Sequence, residues 1–199
     1  MSNVKKYKLL LFINIILLMI FSCIFIYRKN LEFLIYVGVI IFFLFVIWFT
    51  RNKVNYPSIV LWGLTFWAFF HMVGGGIYLN GKKVYQLMLW PIIGEPYYIL
   101  KYDQFVHFFG FGVATLIMFY LIKPYLIKEN IGKVALSVVI IMAGLGVGAF
   151  NEIVEFITTV IVPESGVGGY ENTSLDLVSN LLGAMVAMIY ILKKEYCRK

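Results

Sequence analysis

The sequence predicts an all-α polytopic membrane bundle of about six transmembrane helices with both termini cytoplasmic, and three observations carry that reading. First, 62% of the 199 residues are hydrophobic and only 14% are charged, with a mean hydropathy of +0.89; a soluble domain of this size buries less apolar surface than that. Second, apolar runs of membrane-crossing length recur from end to end, so residues 1–199 read as a single integral membrane domain with no room for a soluble catalytic domain. Third, Lys and Arg sit in the gaps between runs and at the chain ends, so the formal charge of +7 marks topology in a lipid bilayer and not a nucleic-acid surface.

The first run, Leu9 to Ile26, follows Lys5, Lys6 and Lys8 in the manner of a signal peptide. No small-x-small site closes it, and the residues after Cys23 stay apolar, so it is expected to be retained as a transmembrane helix. Phe33 to Thr50, Pro57 to Tyr78 and Gln104 to Ile122 are the next spans, each near the roughly 20 residues that cross a hydrocarbon core. Val134 to Val162 is longer than needed, and its Gly144, Gly146 and Gly148 mark a tilt, a kink or the close approach of a neighbouring helix. Leu175 to Leu192 completes the set. Between the third and fourth spans, the apolar segment Leu87 to Leu100 carries Pro91 and Pro96 and is too short to cross; it is expected to lie in the interface or dip back as a cap. Cys23 and Cys197 sit where neither a mutual disulfide nor a zinc cluster is expected.

With six spans the termini share a side, and 12 of the 17 basic residues fall on it: three before the first span, five in the second and fourth connections and four in the tail. The other side holds Arg28, Lys29, Lys82, Lys83 and Lys101, while Pro163 to Ser174 has no basic residue. The positive-inside rule then places the first, third and fifth connections outside the cytoplasmic membrane.

Ionisable residues within spans are costly and mark a pathway, a site or a paired structural network. The candidates are His71, Asp103, His107, Glu152, Glu155 and Asp176, with Asn151 and Asn180 beside them. All map to the outer half of the bundle. Asp103 and His107 are i,i+4, Glu152 and Glu155 are i,i+3, and Asp176 and Asn180 are i,i+4, so each pair shares a helical face. Four carboxylates facing two imidazoles, with no Lys or Arg in those spans, cannot stay fully ionised in low dielectric; a divalent metal or shared protons is expected there. Asp103, His107, Glu152 and Glu155 are the candidate catalytic groups, and His71, Asp176, Asn180 and Asn151 the candidate ligand-binding groups. Asp103, His107, Glu155 and Asp176 are the candidate metal ligands. Each also has a structural reading: the histidines as interhelical hydrogen bonders, Asp103 and Asp176 as helix N-caps at the water interface.

The segments Tyr102 to Phe111, Asn151 to Phe156, Thr173 to Leu177 and Leu182-Gly183-Ala184, with His71-Met72-Val73-Gly74-Gly75 before them, resemble the YjdF-type family of bacterial inner-membrane proteins. The order Asp-x-x-x-His, Glu-x-x-Glu, Asp-x-x-x-Asn is more distantly similar to VanZ-like membrane proteins, a group associated with glycopeptide resistance. The resemblance implies a helical membrane protein and these candidate positions, without a reaction. This chain departs from the family pattern at Gly76-Ile77-Tyr78, where a second His is common, and at Asn172, where an acid is common, and both departures speak against a zinc site in particular.

Three functions compete at this stage. An enzyme would act on a lipid or lipid-linked envelope substrate from the outer leaflet, because a headgroup meets the bundle where the polar residues gather. A transporter would prefer a midplane site between paired repeats, which the sequence does not show. A noncatalytic membrane or glycopeptide-resistance-type protein would use the cluster to bind a ligand or to hold the bundle.

Overall fold

The computed structural model describes residues 3–126, 132–162 and 165–196, and its six long helices are all apolar and long enough to cross a membrane. They are α1 (Asn3–Tyr27), α2 (Leu31–Thr50), α3 (Ser58–Gly76), α4 (Tyr102–Ile122), α5 (Lys133–Ile161) and α6 (Tyr170–Ile191). The expected all-α membrane bundle is therefore observed. Cys23 is a free thiol, whereas Cys197 lies outside the described residues, as do Lys128, Arg198 and Lys199 of the charge count.

Boundaries shift where polar chemistry continues or stops a helix. α1 begins before its apolar run, and its Tyr7 hydroxyl accepts the Tyr56 N–H at 3.0 Å while Lys6 donates to the Tyr56 carbonyl at 3.1 Å. α2 is capped by Asn30, whose side chain accepts the Phe33 N–H at 3.3 Å. α3 starts after Pro57, which has no N–H to leave unpaired. Gln104 caps α4 by accepting the N–H groups of Leu100 and Lys101 at 2.6 and 3.2 Å. α6 begins five residues ahead of the expected Leu175, because Gly169 and Tyr170 open a helical turn that the polar run Glu171 to Ser174 continues.

α4 is the central helix. It packs most extensively on α6, and also on α5 and α3, while α1 lies against α2 and α3. Small residues permit the closest approach: a Cβ on Gly183 would overlap the Phe108 carbonyl oxygen, and one on Gly112 would sit 3.2 Å from the Gly183 carbonyl oxygen. Of the three glycines in the α5 run, Gly144 meets Thr115 and Ala184, and Gly148 meets Asn180, whereas Gly146 faces open space. The run marks close approach at one face of α5. In the half of the bundle that holds the chain ends, Val60, Ile117, Phe119, Leu136, Ile140, Met188 and Ile191 form a continuous apolar core. A polar contact absent from the expectations joins α1 to α3, where Asn14 donates to the Thr65 hydroxyl at 2.7 Å.

The connection between α3 and α4, whose Leu87 to Leu100 segment was expected in the interface or as a cap, is built of two hairpins. It forms a tight hairpin, β1 (Tyr78–Leu79) with β2 (Lys82–Lys83), and a second, β3 (Met88–Ile93) with β4 (Ile99–Lys101). Asn80 and Gly81, both at positive φ, make the two-residue turn whose twist suits a hairpin. Leu89, Trp90, Ile92 and Tyr97 of the second hairpin are exposed, a composition that fits the headgroup interface. The expected cover over the polar residues comes instead from Tyr85 and Gln86, just before this hairpin, and from Gly166 to Gly168.

Candidate functional site

The helix ends opposite the chain termini bring the polar residues together. α4 contributes Asp103 and His107 from its first turns, α5 contributes Asn151, Glu152 and Glu155, and α6 contributes Asn172, Asp176 and Asn180 from one face at fourfold spacing. Because α6 starts at Tyr170, Asp176 lies nearly two turns inside the helix and Asp103 is already within α4, so neither is the N-cap that the sequence allowed.

His107 is the hub. Its Nε2 is 3.6 Å from Asp103 Oδ1 and 3.6 Å from Glu155 Oε1, and its Nδ1 is 3.5 Å from Glu152 Oε1. The Nδ1 also lies 3.1 Å from Asn180 Oδ1, close enough to hydrogen-bond. An amide oxygen only accepts, so Nδ1–H is the donor, and Nε2 faces Asp103 and Glu155. Asn151 donates to Glu155 Oε1 at 2.7 Å and so fixes its rotamer. Asn172, noted in the sequence only as a departure, bridges two helices: its amide donates to Asp103 Oδ2 at 3.2 Å and to Asp176 Oδ2 at 2.6 Å. The amide nitrogen serves both carboxylates, whereas an ionised acid has no proton to donate.

Not every polar atom finds a partner. Among the described residues, both carboxylate oxygens of Glu152, Oδ1 of Asp176 and Nδ2 of Asn180 are buried without a hydrogen bond. Asp176 and Asn180 are 0% exposed and Glu152 is 9% exposed. Leaving such groups unsatisfied costs about 1–3 kcal/mol each. His107, Glu152, Glu155 and Asp176 each offer one ligand atom, and these atoms lie within 4.8 Å of one another. Asp103 stands beside this group and not in it, touching it through His107 and Asn172.

His71 occupies a neighbouring chamber. It is ringed by Phe33, Tyr36, Trp67 and Tyr85, with centroid separations of 5.4–5.8 Å, and its Nδ1 is hydrogen-bonded to the Tyr85 hydroxyl. Burial pushes the Tyr85 phenol well above the usual tyrosine range, so the hydroxyl keeps its proton, and the His71 tautomer sets which partner donates. A cavity of about 180 Å³ joins the chambers, with His71, Tyr85, Asp103, Glu155 and Asn172 on its walls. At its rim Glu32 accepts from Lys83 Nζ and from the Gly166 N–H, both at 2.8 Å, which ties α2 to the two connections that form the roof. The expectations omitted Glu32, Lys83, Tyr36 and Tyr85: Glu32 stands one residue ahead of an apolar run, and its partner is 51 residues away, a pairing that helical periodicity does not reveal.

Residues 7–195 match the family described as predicted membrane protein (DUF2238), and the chain belongs to that family. No curated protein and no solved structure matches the chain.

Proposed function

We propose that this multi-pass membrane protein is an enzyme that acts on the polar headgroup of a lipid or lipid-linked substrate from the outer leaflet of the cytoplasmic membrane. The observation that carries the reading is the polar cavity at one end of the bundle, walled by Asp103 and Glu155, the two carboxylates that flank buried His107. Asp103 lines the cavity and is placed to take a proton from a substrate and return it, paired at 3.6 Å with Nε2 of His107. Asn180 fixes the His107 tautomer. The apolar core between the cluster and the far helix ends supports an enzyme over a carrier, which needs a site reached from both faces. The unpartnered oxygens of Glu152 and Asp176 weigh against a network kept only for stability. The narrower YjdF-type likeness and the more distant VanZ-like one fit an envelope role without naming a reaction.

The outward direction rests on the 12-to-5 division of Lys and Arg. An alkaline phosphatase fused after Lys199 is expected to be inactive, because it requires an oxidising compartment; strong activity would put the site on the cytoplasmic face. For the reaction itself, lipids and lipid-linked intermediates of cells with and without the gene are compared by mass spectrometry. At least one headgroup species is expected to change on deletion and to return with the wild-type chain but not with His107→Gln. Identical profiles in all strains would refute the enzyme reading.

A further inference from the structure

We infer that His107, Glu152, Glu155 and Asp176 together hold one divalent first-row cation, manganese, iron(II) or zinc, between α4, α5 and α6. This deepens the proposed function by supplying the cluster with its missing positive charge. Four kinds of observation converge on it.

The first is spacing. His107 Nε2 and Glu155 Oε1, 3.6 Å apart, are too far apart for a good hydrogen bond, yet this is close to the edge, about 3.4 Å, of a tetrahedron of ligands around a metal at 2.0–2.2 Å. The full spread of 4.8 Å is a few tenths of an ångström wider than the roughly 4.4 Å across a shell of ligands at 2.2 Å, so small side-chain movements close it on an ion. The second is charge: Asp103, Glu152, Glu155 and Asp176 crowd one imidazole, and among the described residues neither Lys–carboxylate ion pair involves them. The third is the set of unpartnered atoms, because Asp176 Oδ1 and both oxygens of Glu152 are buried acceptors with no donor. A cation satisfies all of them at once. The fourth is the outer layer: His107 Nδ1 is held by Asn180, Glu155 by Asn151 and Asp176 by Asn172, so three amides orient three ligands. Mixed imidazole and carboxylate ligands suit these cations.

The test is the metal content of the full chain, purified in detergent through a tag that binds no metal and measured by inductively coupled plasma mass spectrometry. About one equivalent is expected in the wild type, and below about a tenth in Asp176→Asn and His107→Gln. To keep the test independent of variant folding, wild-type protein stripped by chelator is titrated with manganese, iron(II) and zinc. One of them is expected to bind at 1:1 and to restore the thermal midpoint. Less than half an equivalent together with no restoring cation overturns the site, and so does equal metal content in wild type and folded variants. The two proposals separate cleanly. Bound metal with an unchanged lipid profile keeps the cation site and removes the enzyme reading, and the reverse pattern keeps the enzyme and removes the cation.

Discussion

Gly183→Ala is expected to destabilise the bundle by about 3 kcal/mol, the upper part of the range for overpacking. The added methyl group would collide with the Phe108 carbonyl oxygen of α4 and crowd the Gly112 nitrogen at 3.0 Å, and backbone atoms cannot rotate away as a side chain can. α4 and α6 would have to separate, moving Asp176 and Asn180 away from His107, so the site would be lost with the packing. Gly146→Ala is the matched control, since nothing lies within 4 Å of its added Cβ and helix propensity favours Ala by roughly 1 kcal/mol. Thermal unfolding in detergent measures both. Equal stability of Gly183→Ala and the wild type would mean that the α4–α6 contact is looser than described.

Glu152→Gln is expected to change stability in opposite directions with and without metal. In chelated protein, the Glu152 carboxylate is buried with no hydrogen-bond partner and lies close to other acids, so a neutral amide relieves repulsion and the thermal midpoint rises. In loaded protein a ligand is removed, and stabilisation worth about 3 kcal/mol at free metal one hundred times Kd is largely lost. A purely structural network would respond otherwise, with the same loss of stability whether or not chelator is present.

The fold was largely legible because hydrocarbon thickness imposes a length that a sequence displays directly. All six helices, and the facing of Asp103, His107, Glu155 and Asp176 toward one end, follow from run length, alternation of direction and i,i+4 spacing. Less legible was what depends on partners distant in sequence. The start of α6 at Tyr170 lay in a polar run that hydropathy discards, which is why Asp176 looked like a mouth residue when it is fully buried. His71 shares depth with His107, but depth says nothing about rotation, and the side chain sits in an aromatic chamber of its own. Asn172 looked like a missing acid, although its amide is what allows Asp103 and Asp176 to approach each other. The first hairpin of the third connection was signalled by Asn80-Gly81, a turn pair overshadowed by the apolar stretch that follows.

The claim that Asp103, His107 and Glu155 work as a chemical unit, and not as packing polar groups, is tested most directly by three near-isosteric variants: Asp103→Asn, His107→Gln and Glu155→Gln. Each is scored for monodisperse folded yield in detergent and for restoration of the deletion strain's lipid profile. Folded yield within about twofold of wild type with loss of restoration in all three is the expected result. Breaking a buried structural set should instead cost about 3–5 kcal/mol and lower the yield of all three together. That outcome, or normal yield with full restoration, would contradict the account.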